Sequence, residues 1–130
     1  MPFEVIFEND RAGALLVARG HIAEGELLAA NEKMYAGVNL KTFRYQILDL
    51  TDVAEQENIP IAKLEQLIKM DKEAAKESQG FLVAIVVSRG LLESLSEVYS
   101  MYVKDYNLKT KLFNRIDEAR EWIKDVLPID

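Results

Sequence analysis

Cysteine is absent from the 130 residues. That excludes disulfides, thiolate metal sites and cysteine nucleophiles together, and with them the zinc-finger and thioredoxin-like classes; it fits a reducing compartment. Long apolar runs are missing too. The longest, FLVAIVV at 81–87, falls far short of the roughly 20 residues that a spanning helix needs. The opening MPFEVIFENDR has no basic segment leading into an apolar one, so no leader is expected and the chain reads as a soluble cytoplasmic protein. Positive charge is scarce: 16 Lys and Arg against 22 Asp and Glu leave a net charge of -6, mixed along the chain. Nucleic acid is therefore not expected as a partner. There is one histidine, His21, which with Glu24 forms an H-x-x-E pair at a helix start. A single imidazole cannot build the usual zinc site, so His21 is expected as a turn residue, with no metal and no cofactor. Neither of the glycine-rich phosphate-binding motifs occurs, and no serine lies in a nucleophile elbow.

What is present is a chain 49% hydrophobic, enough for one ordinary domain over 1–130. Two short strand-like runs, Phe3 to Glu8 and Ala14 to Arg19, flank NDRAG, a turn-rich segment ending in glycine, and should pair as an antiparallel hairpin. Ala23 to Tyr35 carries Leu27, Leu28, Met34 and Tyr35 at helical spacing and ends near Gly37. Phe43 to Leu50 reads as the third strand. Pro60 to Lys76 reads as a helix with Ile61, Leu64, Leu67, Ile68 and Ala75 on one face. FLVAIVV shows no alternation, as a strand covered on both faces should, and is placed at the middle of the sheet. After SRG comes another expected helix, with the stripe Leu91, Leu95, Val98 and Tyr102 widened by Leu92, Tyr99 and Val103. A strand at Lys109 to Phe113 follows. In the last helix, capped by Asn114 or Asp117, Ile116, Ala119, Ile123 and Val126 should face inward with Trp122 beside them. The expected fold class is α/β: an N-terminal β-hairpin joined to a mostly parallel five-stranded sheet, with about four helices and right-handed crossovers.

That order, together with RGHIAEGELL at 19–28, LDLTDV at 48–53, AIVVSRGL at 84–91 and KLFNRIDEAREWI at 111–123, resembles the STAS superfamily of sulphate transporters and anti-sigma-factor antagonists. It is most similar to the SpoIIAA-like branch of small stand-alone bacterial proteins, over nearly the whole chain. The resemblance implies a phosphorylatable serine just after the LDL strand, at the start of the second helix. The equivalent positions here are Asn58 and Ile59, which have no hydroxyl. Thr51 is the nearest hydroxyl, inside the strand end, and no other serine or threonine follows before Ser78. Glu55 and Glu57 place negative charge at that helix start, where it would repel an added phosphate. The expectation is that the phosphoswitch is absent, with phosphorylation at Thr51 left open.

The same branch resembles the CRAL-TRIO lipid-transfer domains in fold, which implies a hydrophobic small molecule or lipid as ligand and peripheral contact with a membrane. Leu95, Tyr99, Met101 and Tyr102, with Val103 and Tyr106, suit an adaptable apolar pocket. Ordinary core packing explains most of that stripe more simply, since a helix covering the sheet needs such a stripe anyway. Met101 and Tyr106 fall off it, and would serve as surface residues, a lid or a homodimer contact. At the carboxyl ends of the strands stand Asp49, Thr51 and Asp52, then Ser88, Arg89 and Gly90. Ser88 and Arg89 could hold an anion at a helix start, or simply cap it. Asp49, Ser88 and Arg89 are the only set to nominate for an enzyme, and no enzyme is expected. The reading that results is a non-catalytic domain carrying a hydrophobic ligand. Its alternative is a protein-interaction module of the antagonist type without the serine.

Overall fold

A computed structural model describes residues 3–21, 25–53, 61–88 and 108–127, with the side chains of the helix beginning at Ile61 described from Glu65 on. The elements are β1 (Phe3–Glu8), β2 (Gly13–Gly20), α1 (Glu26–Ala36), β3 (Tyr45–Val53), α2 (Ile61–Lys76), β4 (Phe81–Val86), β5 (Leu108–Phe113) and α3 (Ile116–Val126). The helix expected over Leu91 to Val103 lies outside the described residues, so three of the expected four are seen. No helix among the described residues is long and apolar enough to cross a membrane.

The sheet runs β1-β2-β3-β4-β5, with only the β1–β2 pair antiparallel. Both β3 and β4 are interior, and the central strand is β3 rather than the expected FLVAIVV strand. All of β4 is nevertheless buried, because helices cover both faces. On one face Leu16, Leu48, Leu50, Val83 and Ile85 meet Leu27, Met34, Leu67 and Ile68 of α1 and α2. On the other, Ile47, Ala84 and Val86 meet Ala119 and Ile123 of α3. Period-two alternation in the strands sends successive residues to these two cores.

Several local expectations are corrected. Gly13, expected as the end of the turn segment, is the first residue of β2. The left-handed backbone falls on Asn9 (φ 50), Asp10 (φ 54) and Arg11 (φ 67), at about 1 kcal/mol or more each. Arg11 is held there by a 2.6 Å bond to the Gly37 carbonyl and by stacking 4.2 Å over the Phe7 ring. Gly13 is needed for another reason: the Tyr45 ring occupies the place where a Cβ would stand. The α3 N-cap is Arg115, in extended conformation and without a side-chain cap bond, instead of Asn114 or Asp117. Asp117 sits inside the first turn and takes a bidentate bond from Arg115 at 3.1 and 2.7 Å, where the helix dipole favours its charge. Val126 does not face inward. It is 42% exposed, and Leu127 packs on the α3 core in its stead. Trp122 lies against Phe113, ring centroids 5.6 Å apart.

Gly13→Ala is expected to destabilise the chain by about 2 kcal/mol, the cost of overpacking against an aromatic ring. Urea denaturation measures it, and a midpoint equal to wild type would contradict the packing described.

Candidate functional site

In a parallel sheet the open edge for ligands lies at the carboxyl ends of the strands. Here that edge is stepped. β3 pairs with β4 up to Asp49–Val86, then continues to Val53 beside β2, with Arg19 opposite Asp52 and Gly20 opposite Val53. A register shift between Val17 and Arg19 accompanies the step. Asp49 shapes it: its Oδ1 accepts from the Thr51 backbone N–H at 3.0 Å and from the Thr51 hydroxyl at 2.6 Å. This local side-chain bonding competes with the regular ladder. The result is two successive outward residues, Thr51 and Asp52, between the buried Leu50 and Val53.

Of the residues nominated from the sequence, Asp49, Thr51 and Asp52 thus gather on this projecting ledge. Ser88 is exposed just beyond the end of β4, and Val87 before it bonds the Phe113 carbonyl at 2.8 Å. His21 is exposed after Gly20, whose φ is +68. Arg89, Leu95, Tyr99, Met101, Tyr102 and Tyr106, together with Glu24, Glu55, Glu57, Asn58 and Ile59, lie outside the described residues. Among the described residues no group of three or more His, Asp or Glu could hold a metal ion.

Two polar clusters escaped the sequence reading. The first lies inside the helical layer. Asn31 of α1 and Gln46 of β3 are 0% and 1% exposed, and Asp71 of α2 is 2% exposed. Gln46 Nε2 donates to Asn31 Oδ1 at 3.0 Å, and Asn31 Nδ2 donates to Asp71 Oδ1 at 3.2 Å. The Tyr35 hydroxyl stands 2.6 Å from Asp71 Oδ1 and 3.3 Å from Gln46 Oε1. Burial pushes the Asp71 carboxyl up from the ordinary 3.8 to about 6, against the lowering effect of the Tyr35 and Asn31 bonds. A signal was available, because Asn31 and Asp71 each interrupt an apolar helix stripe.

The second cluster ties the hairpin to α3. Arg120 clasps Glu8 through two bonds of 3.1 and 2.8 Å, while the Tyr45 hydroxyl donates to Glu8 at 2.7 Å and accepts from Asn9 at 2.8 Å. The Arg120 bonds hold the Glu8 carboxyl below its ordinary range. Burial first, and then the neighbouring Glu8, push Tyr45 up to about 12.

One further hydroxyl stands apart. Thr110 Oγ1 is buried and has no hydrogen-bond partner, the only such side-chain atom recorded among the described residues. Thr110 pairs with Val83, so it shares the face covered by α1 and α2, between Leu108 and Leu112.

No protein-family model matches the chain, and no curated protein matches it. Among solved structures it is similar to the crystal structure of an uncharacterised DUF3478-family protein with a SpoIIAA-like fold from Shewanella loihica PV-4. The TM-score is 0.58 at 18% identity, covering 93% of each chain. The likeness is one of fold: this chain has the SpoIIAA-like fold that its sequence pattern implies.

Arg120→Met is expected to cost about 1 kcal/mol at neutral pH, since the guanidinium is partly exposed and screened. A Glu whose folded pKa is lowered contributes stability above its unfolded value and loses it as the pH falls through the folded one. The gap between Arg120→Met and wild type should therefore narrow below pH 4.5, the ordinary Glu value. A gap constant from pH 3 to 7 in urea titrations would contradict the pairing.

Proposed function

We propose that this chain is a non-catalytic binding domain that holds a hydrophobic small molecule or lipid against the β4–β5 part of its helical face. The observation that carries this reading is Thr110. A buried hydroxyl without a partner costs about 1–3 kcal/mol, and a ligand site joins apolar lining to a few polar groups that fix orientation. Here the apolar lining is Val83, Ile85, Leu108 and Leu112, and the polar group is the Thr110 hydroxyl. The segment joining β4 to β5 contains Leu95, Tyr99, Met101 and Tyr102, which would complete the lining. Ser88 and Arg89 at its start would meet a polar head. Peripheral contact with a membrane is part of this reading, as the place where such a ligand is exchanged.

A second reading is favoured by the ledge. β2 and β3 extend beyond β4 and present Thr51 and Asp52 to solvent, which suits a regulatory protein-interaction module that works without a phosphoserine. Replacing Thr51 and Asp52 would then abolish capture of the partner while leaving oleic acid binding unchanged.

Thr110→Val separates the two. In protein stripped of bound molecules by unfolding and refolding, it should raise stability by about 1 kcal/mol, because the orphan hydroxyl is gone. Wild type should gain thermal stability with oleic acid, and Thr110→Val should bind oleic acid about tenfold more weakly, the worth of one hydrogen bond. Absence of any thermal shift in wild type, or equal affinity of the two proteins, would count against the carrier.

A further inference from the structure

The ring formed by Asp71, Tyr35, Gln46 and Asn31 can be counted proton by proton. Asn31 Nδ2 has two hydrogens, one directed to Asp71 Oδ1 and the other to Met70 Sδ at 3.1 Å. That fixes Asn31 Oδ1 as the acceptor for Gln46 Nε2, and so leaves Gln46 Oε1 facing the Tyr35 hydroxyl. The hydroxyl has a single proton. With Asp71 ionised, the carboxylate takes that proton at 2.6 Å, and Gln46 Oε1 is left against an oxygen with nothing to give. With Asp71 protonated, its O–H donates to Tyr35, Tyr35 donates to Gln46, Gln46 to Asn31 and Asn31 to Asp71. Every member then gives and receives in one direction, the arrangement in which hydrogen bonds strengthen one another. Turning over one amide sets oxygen against oxygen. Turning over both reverses the ring, which again closes only if Asp71 donates.

We propose that Asp71 is a proton-controlled latch: protonated, it locks α1 and α2 together on β3, and ionised, it releases the seam between the two helices. Among the described residues the groups around it are Asn31 and Tyr35 from α1, which bond it directly, Met70 from α2, and Gln46 from β3, which reaches it through Asn31 and Tyr35; of these Tyr35 is the only other titratable one. No cationic side chain pairs with Asp71 among the described residues, so nothing there compensates its charge. Its displacement from 3.8 to about 6 by burial agrees with the count.

The sign follows from proton binding. Between those two values the folded chain holds a proton that the unfolded chain has released, so stability falls as the pH rises through the window and levels off above it. The change amounts to about a hundredfold in the folding equilibrium. Asp71→Asn supplies an N–H in place of the carboxyl O–H and keeps the ring closed at every pH.

The test compares full-length wild type with Asp71→Asn at pH 5 and 7.5. The readouts are the urea midpoint and amide hydrogen exchange in α1 and α2, corrected for intrinsic rates. Wild type should lose midpoint and exchange about tenfold faster in both helices at pH 7.5 than at pH 5, while Asp71→Asn stays slow and unchanged. Identical pH profiles for the two proteins would overturn the latch. Should Asp71→Asn not fold, the ¹³C carboxyl resonance of Asp71 in wild type decides: titration near pH 6 upholds the proposal, and titration near 4 with the surface aspartates overturns it.

Discussion

Gln46 occupies a position in the central strand that faces the helical layer, between residues that are otherwise apolar on that face. A polar amide there costs several kcal/mol unless its groups are bonded, and the helices that cover it must bring the partners. Asn31 and Tyr35 come from α1 and Asp71 from α2. Apolar contacts between α1, α2 and the sheet tolerate some sliding, whereas this set of donors and acceptors fits one placement. The orientation of α1 and α2 on the sheet therefore depends on it. The aromatic rings of Tyr35, Phe43 and Phe81, with centroids 5.2 to 6.1 Å apart, pack beside it.

The opposite face is held differently. Its core is smaller, and α3 is anchored to the hairpin by the Arg120–Glu8 clasp with the Tyr45 hydroxyl beneath. The Tyr45 ring also fills the space over Gly13, so a single side chain joins the hairpin turn, the start of β3 and the last helix. The two polar clusters differ in consequence. The clasp is partly exposed and balances its charges, while the ring is built on three buried side chains, Asn31, Gln46 and Asp71, and has no counter-charge among the described residues.

Much of this was legible in the chain. FEVIFE and FLVAIVV carry strand patterns, the second apolar throughout, and β1, α2 and β4 fall within a residue of their expected bounds. The fold class followed from the order of elements. The extension of β3 to Val53 was legible only in part: Thr51 was placed inside the strand end, but the strand was bounded at Leu50, and the pairing with β2 that holds Asp52 and Val53 in strand comes from the tertiary structure. Gly13 was read as the end of the turn-rich NDRAG segment, whereas it opens β2, and the aromatic approach that requires a glycine there comes from Tyr45, distant in sequence. The buried ring was hidden for a related reason. One polar residue on each of two helix stripes and one in a strand look like ordinary interruptions until the fold brings all three together. Of the candidate site, Asp49 and Thr51 were placed at the strand end as found, while Thr110 gave no sequence signal, since threonine in a strand is unremarked.

The ligand we propose would be apolar and would lie against the one buried side-chain hydroxyl, that of Thr110, left without a partner among the described residues. Native mass spectrometry of freshly purified protein, followed by denaturation and identification of whatever is released, tests this most directly. The account predicts an apolar molecule bound at one per chain; a clean ligand-free mass that stays unchanged on incubation with lipid extract would contradict it.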